Sequence, residues 1–251
     1  MSLSFLTVYI NVLVILVLGT AITFMAVNSV RAVGAGLKAS QVPRVMGGFV
    51  AILALWYALA VQVSDLGLMG AAPFAFAPPW VGLFFVGGAL MLFALGRLIP
   101  AARIVIDATG QNYFMAIQSF RLLGVVFLIG GLTGNIPWLF ALPAGLGDIG
   151  AGILGYRAMR AVNRQDPQAR LRIRQANTVG LMDFAVALIT GLLTSETIYQ
   201  VAGFDAPNLV GAYPLVLIPA LLVPVFLAAH LFSVQRLMQT ADAKNLRFSN
   251  S

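Results

Sequence analysis

Seven apolar stretches, each long enough to cross a bilayer as a helix, constrain this sequence more than any other feature. A helical crossing takes about 20 mostly apolar residues, because lipid offers the backbone no hydrogen-bond partner outside the helix. Only 9% of the residues are charged and the mean hydropathy is +0.94. The sequence therefore predicts an all-α integral membrane bundle in which residues 1–251 form a single transmembrane domain. The predicted spans are residues 5–26, 45–63, 79–95, 114–133, 137–156, 178–194 and 211–234.

The basic residues divide the connections between these spans into two classes. The loops after the first, third and fifth spans, together with the C-terminal tail, hold 14 of the 15 Lys and Arg residues. The loops after the second, fourth and sixth spans hold none. Because basic loops stay in the cytoplasm, this alternation predicts that the N-terminus is outside and the C-terminus cytoplasmic. The same rule accounts for the net charge of +7, so we expect no nucleic-acid partner.

Several classes of chemistry are excluded by residue counts. The chain has no cysteine, which excludes disulfides, thiolate nucleophiles and cysteine-ligated metals. His230 is the one histidine, which excludes a bis-histidine haem. The seventh span holds no lysine, which excludes covalently bound retinal. We expect no catalytic residue, no cofactor and no metal site, and an enzymatic activity is the less favoured interpretation.

Four ionisable residues lie inside the predicted spans, where a charge is costly and so suggests a functional role. They are Arg121, Asp148, Asp183 and His230, each in a different span. At about 1.5 Å per residue, Arg121 and Asp148 lie about 10 and 14 Å from the cytoplasmic edge, and the other two lie about 9 Å from it. All four are therefore expected in the cytoplasmic half of the membrane, within about one helical turn of each other in depth.

These depths predict two ion pairs within a polar ligand or proton site. The three-residue turn after the fourth span makes spans four and five antiparallel neighbours, which favours an Arg121–Asp148 pair. Asp183 and His230 lie in consecutive spans and form the second predicted pair. Gln118, three residues before Arg121 on the same helix face, is expected to extend the network. The alternative interpretation is that these residues only fix how the helices pack.

Two further patterns allow a structural and a functional interpretation. Glycines surround Asp148 in the fifth span; they favour close helix packing and would also let backbone approach a ligand. They are Gly145, Gly147, Gly152 and Gly155. Six arginines lie between Arg157 and Arg174. That segment is interpreted as a solvated determinant of orientation or, alternatively, as a basic surface helix that binds anionic lipid.

Spans four and five also carry a resemblance. Residues 117–124 read I-Q-S-F-R-L-L-G, and residues 134–150 read G-N-I-P-W-L-F-A-L-P-A-G-L-G-D-I-G. This pattern resembles a group of uncharacterised bacterial polytopic membrane proteins that share an Arg-bearing helix, a G-x-I-P turn and an A-G-x-G-D helix. Members of that group often have an acidic residue at the position of Gly124. The resemblance implies a polytopic architecture and a bacterial origin, and it implies no chemistry. We expect the protein to lie in the bacterial cytoplasmic (inner) membrane.

Three functions remain as hypotheses. A small inner-membrane transporter or proton-linked permease is favoured by the layer of ionisable residues and by the prolines that interrupt the last span. A non-catalytic subunit or scaffold of a larger complex, as a homo- or hetero-oligomer, is the alternative, because the loops are short and no catalytic set is present. A lipid- or isoprenoid-modifying enzyme with Asp148 or Asp183 as general acid is the second alternative.

Overall fold

All regular secondary structure in the described part of the chain is helical. The computed structural model describes residues 3–70 and 78–249, and these residues contain no strand. Seven helices among them are long and apolar enough to cross a membrane, which confirms the all-α bundle of seven spans. The crossings are Phe5–Val33, Ala39–Asp65, Trp80–Leu98, Gln111–Leu132, Trp138–Asn163, Ala169–Thr194 and Ile218–Gln239.

Within the described ranges, nine α-helices build these crossings and one connection. A 3-10 segment, Ser119–Gly124, joins α5 to α6, so these three pieces make the fourth crossing. A π-helical turn, Ile218–Leu222, leads into α9. The helices are α1 Leu3–Val33, α2 Val42–Asp65, α3 Trp80–Leu98, α4 Pro100–Ala108, α5 Gln111–Gln118, α6 Val125–Leu132, α7 Trp138–Asn163, α8 Ala169–Thr194 and α9 Val223–Ser249.

The two ends of the bundle differ in charge. The end that carries the tail and the loops after the odd-numbered crossings holds 14 of the basic residues, and we call it the basic end. The opposite end carries Asp65, Glu196 and Asp205 and no Lys or Arg among its connecting loops, and we call it the acidic end. The arginines between Arg157 and Arg174 lie on the ends of α7 and α8 and on the turn between them, so they form no separate surface helix.

A Schellman turn fixes α6 and α7 as antiparallel neighbours. Gly134 has a φ of +68°, which favours glycine, and its N–H donates to the Gly131 carbonyl at 3.1 Å. The N–H of Asn135 donates to the Gly130 carbonyl at 2.9 Å, which completes the motif. Pro137 follows with φ −60°, and α7 begins at the next residue.

The last crossing is the most buried of the seven and begins later than predicted. Its first helical residue is Ile218 rather than residue 211. Pro224 has no N–H, so the Ala220 carbonyl loses its intrahelical donor. The Trp56 indole Nε1 donates to that carbonyl at 2.7 Å, which satisfies a group that lipid could not. This bond ties α2 to the centre of the bundle.

The short helix α4 was not anticipated from hydropathy, because its nine residues are too few to span the membrane. It lies at the basic end and is fastened on both sides. Arg97 of α3 forms an ion pair with Asp107 at 2.6 Å. Arg236 of α9 donates to the Asp107 carbonyl at 2.8 Å. Helix α4 thus links α3 and α9.

Candidate functional site

The four ionisable residues of the predicted spans meet around one guanidinium. Arg121 lies on the 3-10 segment, Asp148 on α7, Asp183 on α8 and His230 on α9. Arg121 Nε donates to Asp148 Oδ1 at 2.7 Å, and Arg121 Nη2 donates to Asp183 Oδ2. Arg121 Nη1 donates to His230 Nε2 at 3.3 Å. One arginine therefore ties three other crossings together.

The predicted pairing is half right. The Arg121–Asp148 pair is present, but the predicted Asp183–His230 pair is wrong, because Asp183 bonds to Arg121 instead. Gln118 does not extend the cluster as expected. Its Nε2 donates to the Phe226 carbonyl at 2.9 Å, while its Oε1 has no partner among the described residues. These differences arise because pairing depends on how each helix is rotated about its axis.

Aromatic packing covers the face of the guanidinium. The Arg121 Cζ lies 3.9 Å from the centroid of the Phe184 ring, and the Arg121 side chain has no exposed surface. A cation over an aromatic face is attracted by the ring's quadrupole, most strongly where water is excluded. The Asp148 and Asp183 side chains keep 13% and 6% of their surface exposed. The two carboxylates therefore keep some accessible surface, whereas the arginine keeps none.

A chain of polar side chains fixes the tautomer of His230. Because arginine only donates, His230 Nε2 accepts, and Nδ1–H donates to Asn177 Oδ1 at 2.8 Å. Asn177 Nδ2 donates to Ser233 Oγ at 2.9 Å, and Ser233 Oγ donates to Gln111 Oε1 at 2.7 Å. This assignment makes the imidazole neutral.

Sequence reasoning missed Asn177, which lies within α8, and Gln111, which is the first residue of α5; neither carries a charge. The spacing of His230 and Ser233, three residues apart on one helix, is the sequence signal that could have indicated this hydrogen-bond chain.

Three glycines make room for the cluster. Each faces one of its members: Asp183, Asp148 or His230. A Cβ on Gly147 would overlap Asp183 Oδ1 and lie 2.6 Å from its Cγ. A Cβ on Gly124 would lie 2.9 Å from Asp148 Cγ, and one on Gly180 would lie 2.6 Å from His230 Cε1. Both carboxylates and the imidazole thus fit only because these helix positions lack a side chain.

Three of the four glycines predicted around Asp148, namely Gly145, Gly152 and Gly155, lie at close helix contacts. A Cβ on Gly152 would lie 2.7 Å from the backbone nitrogen of Leu122, and one on Gly155 would lie 2.6 Å from the Cβ of Gln118. A Cβ on Gly145 would lie 2.6 Å from the Cγ of Leu128. The backbone of α7 therefore lies directly against the fourth crossing, which brings Asp148 within reach of Arg121.

The cluster carries one positive and two negative groups when both carboxylates are ionised. Its formal charge is then −1, and one proton or one monovalent cation would neutralise it. A buried uncompensated charge is costly, so this arrangement favours uptake of a single positive charge. Within residues 3–70 and 78–249, no group of three or more His, Asp or Glu residues could hold a metal ion.

A cavity leads from the carboxylates towards the acidic end. Its volume is about 70 Å³, room for a few water molecules, and both Asp148 and Asp183 line it. One wall is a stripe that runs from Asp183 on α8 to Ser195 just past the end of that helix, about 18 Å long at 1.5 Å per residue. Ser195, Thr197 and Asn208 add polar groups near the acidic end. Arg121 and His230 do not line the cavity.

Comparison with protein families identifies one family to which the chain is similar. The model of the domain of unknown function DUF8737 matches residues 78–238, well over half of the 251 residues. The chain belongs to the DUF8737 family. No curated protein and no solved structure shows significant similarity to the chain. The DUF8737 match includes α3 to α8 and most of α9, so it contains the whole Arg121 cluster, whereas α1 and α2 lie outside it.

Proposed function

We propose that this DUF8737 protein is a small proton-linked permease of a bacterial inner membrane, with Asp148 and Asp183 as its proton-binding groups. The observation that carries the proposal is that both carboxylates pair with Arg121 and also line the cavity from the acidic end. With the basic end in the cytoplasm, as the distribution of Lys and Arg predicts, this cavity leads from the outer side.

Proton binding at these groups is coupled to helix packing through the arginine. A carboxylate that takes up a proton loses the charge that attracts the guanidinium, so one of the two ties to Arg121 weakens. Protonation of Asp183 loosens α8 from the 3-10 segment, and protonation of Asp148 loosens α7. The π-helical turn before α9 supports such movement, because π-turns and proline-interrupted helices are common at functional sites in membranes.

The proton itself is the probe for the test. Purified full-length protein is reconstituted in liposomes that contain a pH-sensitive dye, and an imposed potassium diffusion potential drives proton entry. We expect wild-type protein to acidify the lumen faster than protein-free liposomes, and Asp148→Asn and Asp183→Asn to abolish the difference. Asparagine keeps the shape of aspartate and cannot bind the proton.

Asp205→Asn is the matched control, because Asp205 is an exposed carboxylate at the same acidic end and does not line the cavity. Its proton flux should equal that of wild type. Wild-type flux in both cluster variants would refute the mechanism, as would a wild-type rate no faster than that of empty liposomes.

A further inference from the structure

A second and larger cavity lies at the basic end and shares no lining residue with the first. Its volume is about 330 Å³, within the range of about 300–1,000 Å³ that is typical of ligand sites. The basic-end halves of α1, α2, α3, α5 and α9 surround it, and α4 contributes Ala101, Ala102 and Ile106 to its wall. The residues of the Arg121 cluster do not line it, so it is a site separate from that cluster.

The chemistry of its wall indicates an apolar occupant with a negative end. Apolar side chains from five crossings make up most of the lining, among them Phe24, Phe49, Phe114 and Phe232. Arg44 is the one charged residue of the described lining, and no described acidic residue contributes to it. A hydrocarbon chain would pack against the apolar wall, and an anionic group would pair with Arg44.

The position of the arginines matches the depth of a lipid headgroup. Arg44 lies in the first turn of α2 and is exposed, and it forms no ion pair with the described residues. Arg31 lies near the end of α1, and its Cζ is 5.2 Å from the ring of Tyr113, a residue that lines the cavity. Both guanidiniums are therefore at the membrane surface of the basic end, where headgroup phosphates lie.

We propose that this cavity binds one acyl chain of an anionic phospholipid, whose headgroup binds Arg44 and Arg31. A guanidinium forms paired hydrogen bonds with phosphate oxygens, and the net negative charge of the lipid adds attraction that a zwitterionic headgroup lacks. The site is independent of the proton-binding cluster, so either proposal can fail without the other.

Native mass spectrometry of the full-length protein in mild detergent tests the proposal. Phosphatidylglycerol and phosphatidylcholine with identical chains are offered in equal amounts. We expect the wild-type protein to retain a bound phosphatidylglycerol under mild activation in the mass spectrometer. Because a contact with one arginine at a membrane surface supplies about 1 kcal/mol, Arg44→Gln should lower the preference for phosphatidylglycerol about fivefold. Arg157→Gln, at an exposed arginine of the same end, should leave it unchanged.

A pair of adjacent glycines on α2 provides a test of the cavity itself. Gly48 lines the cavity and Gly47 does not, and a Cβ at either position has no neighbour within 4 Å. Gly48→Leu should fill the cavity and remove the bound lipid, and Gly47→Leu should retain it. Both variants should keep the wild-type melting temperature. Equal retention of lipid in the two leucine variants, or equal binding of the two lipids by the wild type, would overturn the proposal.

Discussion

Gly147→Ala should destabilise the protein although it adds one methyl group to a helix. The new Cβ would overlap Asp183 Oδ1 and lie 2.6 Å from Asp183 Cγ. The backbone of α7 is held against the fourth crossing, so the carboxylate of Asp183 has to move. Because the same carboxylate accepts from Arg121, its movement weakens a buried ion pair.

The magnitude follows from two opposing effects. Removing one partner of a buried ion pair costs about 3–5 kcal/mol, and a displaced partner costs somewhat less. Alanine is favoured over glycine inside a helix by about 0.5–1 kcal/mol. The net loss should be about 2–4 kcal/mol, which lowers the melting temperature by roughly 5–15 °C for a chain of this size.

Intrinsic tryptophan fluorescence is the suitable assay in detergent. The chain has three tryptophans, and it has no cysteine for a thiol-reactive dye to report on. Gly150→Ala is the matched control on the same helix, because a Cβ at Gly150 has no neighbour within 4 Å. It should melt at or slightly above the wild-type temperature.

A double-mutant cycle isolates the cause. In an Asp183→Ala background the added methyl at Gly147 would face only the residual Cβ, at 3.3 Å. Gly147→Ala should therefore cost about 2–3 kcal/mol less in that background, at the upper end of the coupling energies of contacting residues. If Gly147→Ala melts like Gly150→Ala, the steric argument is refuted.

Two further predictions concern buried hydrogen bonds. Trp56→Phe removes the donor to the Ala220 carbonyl and should cost about 1–3 kcal/mol, as an unpaired buried group does. In a Pro224→Ala background the restored N–H should reduce that cost below about 1 kcal/mol, and an unchanged cost in both thermal-melt series would contradict the assignment. The single histidine allows an unambiguous ¹⁵N spectrum of the ring. We expect His230 to be neutral with Nδ1 protonated and Nε2 accepting from Arg121, so a protonated Nε2 would contradict the hydrogen-bond chain.

Hydropathy and charge predict the crossings because both act through the bilayer, independently of which helices touch. Each crossing requires a stretch of apolar residues long enough to span the bilayer, and this requirement does not depend on which helices lie beside it. The shared depth of Arg121, Asp148, Asp183 and His230 follows from counting residues along each span, and the structure brings these four together. Depth is thus readable from a single sequence.

Rotation and neighbour order are not readable in the same way. Asp183 pairs with Arg121 rather than with His230, and counting residues along α8 and α9 gives the depth of each side chain but not the direction in which it points. The 3-10 segment itself interrupts the 3.6-residue period on which the placement of Gln118 relied. Asn177 is uncharged and lies within α8, so nothing in hydropathy distinguished it from other polar residues near a membrane surface.

Helix α4 has a mechanical consequence for any rearrangement of the bundle. Asp107 is held through its carboxylate by Arg97 of α3 and through its carbonyl by Arg236 of α9. A tilt of α9 against α3 must therefore either move α4 with it or break one of these two contacts. A spectroscopic label on the exposed side of α4 would then report the tilting of α9 without any probe inside the membrane.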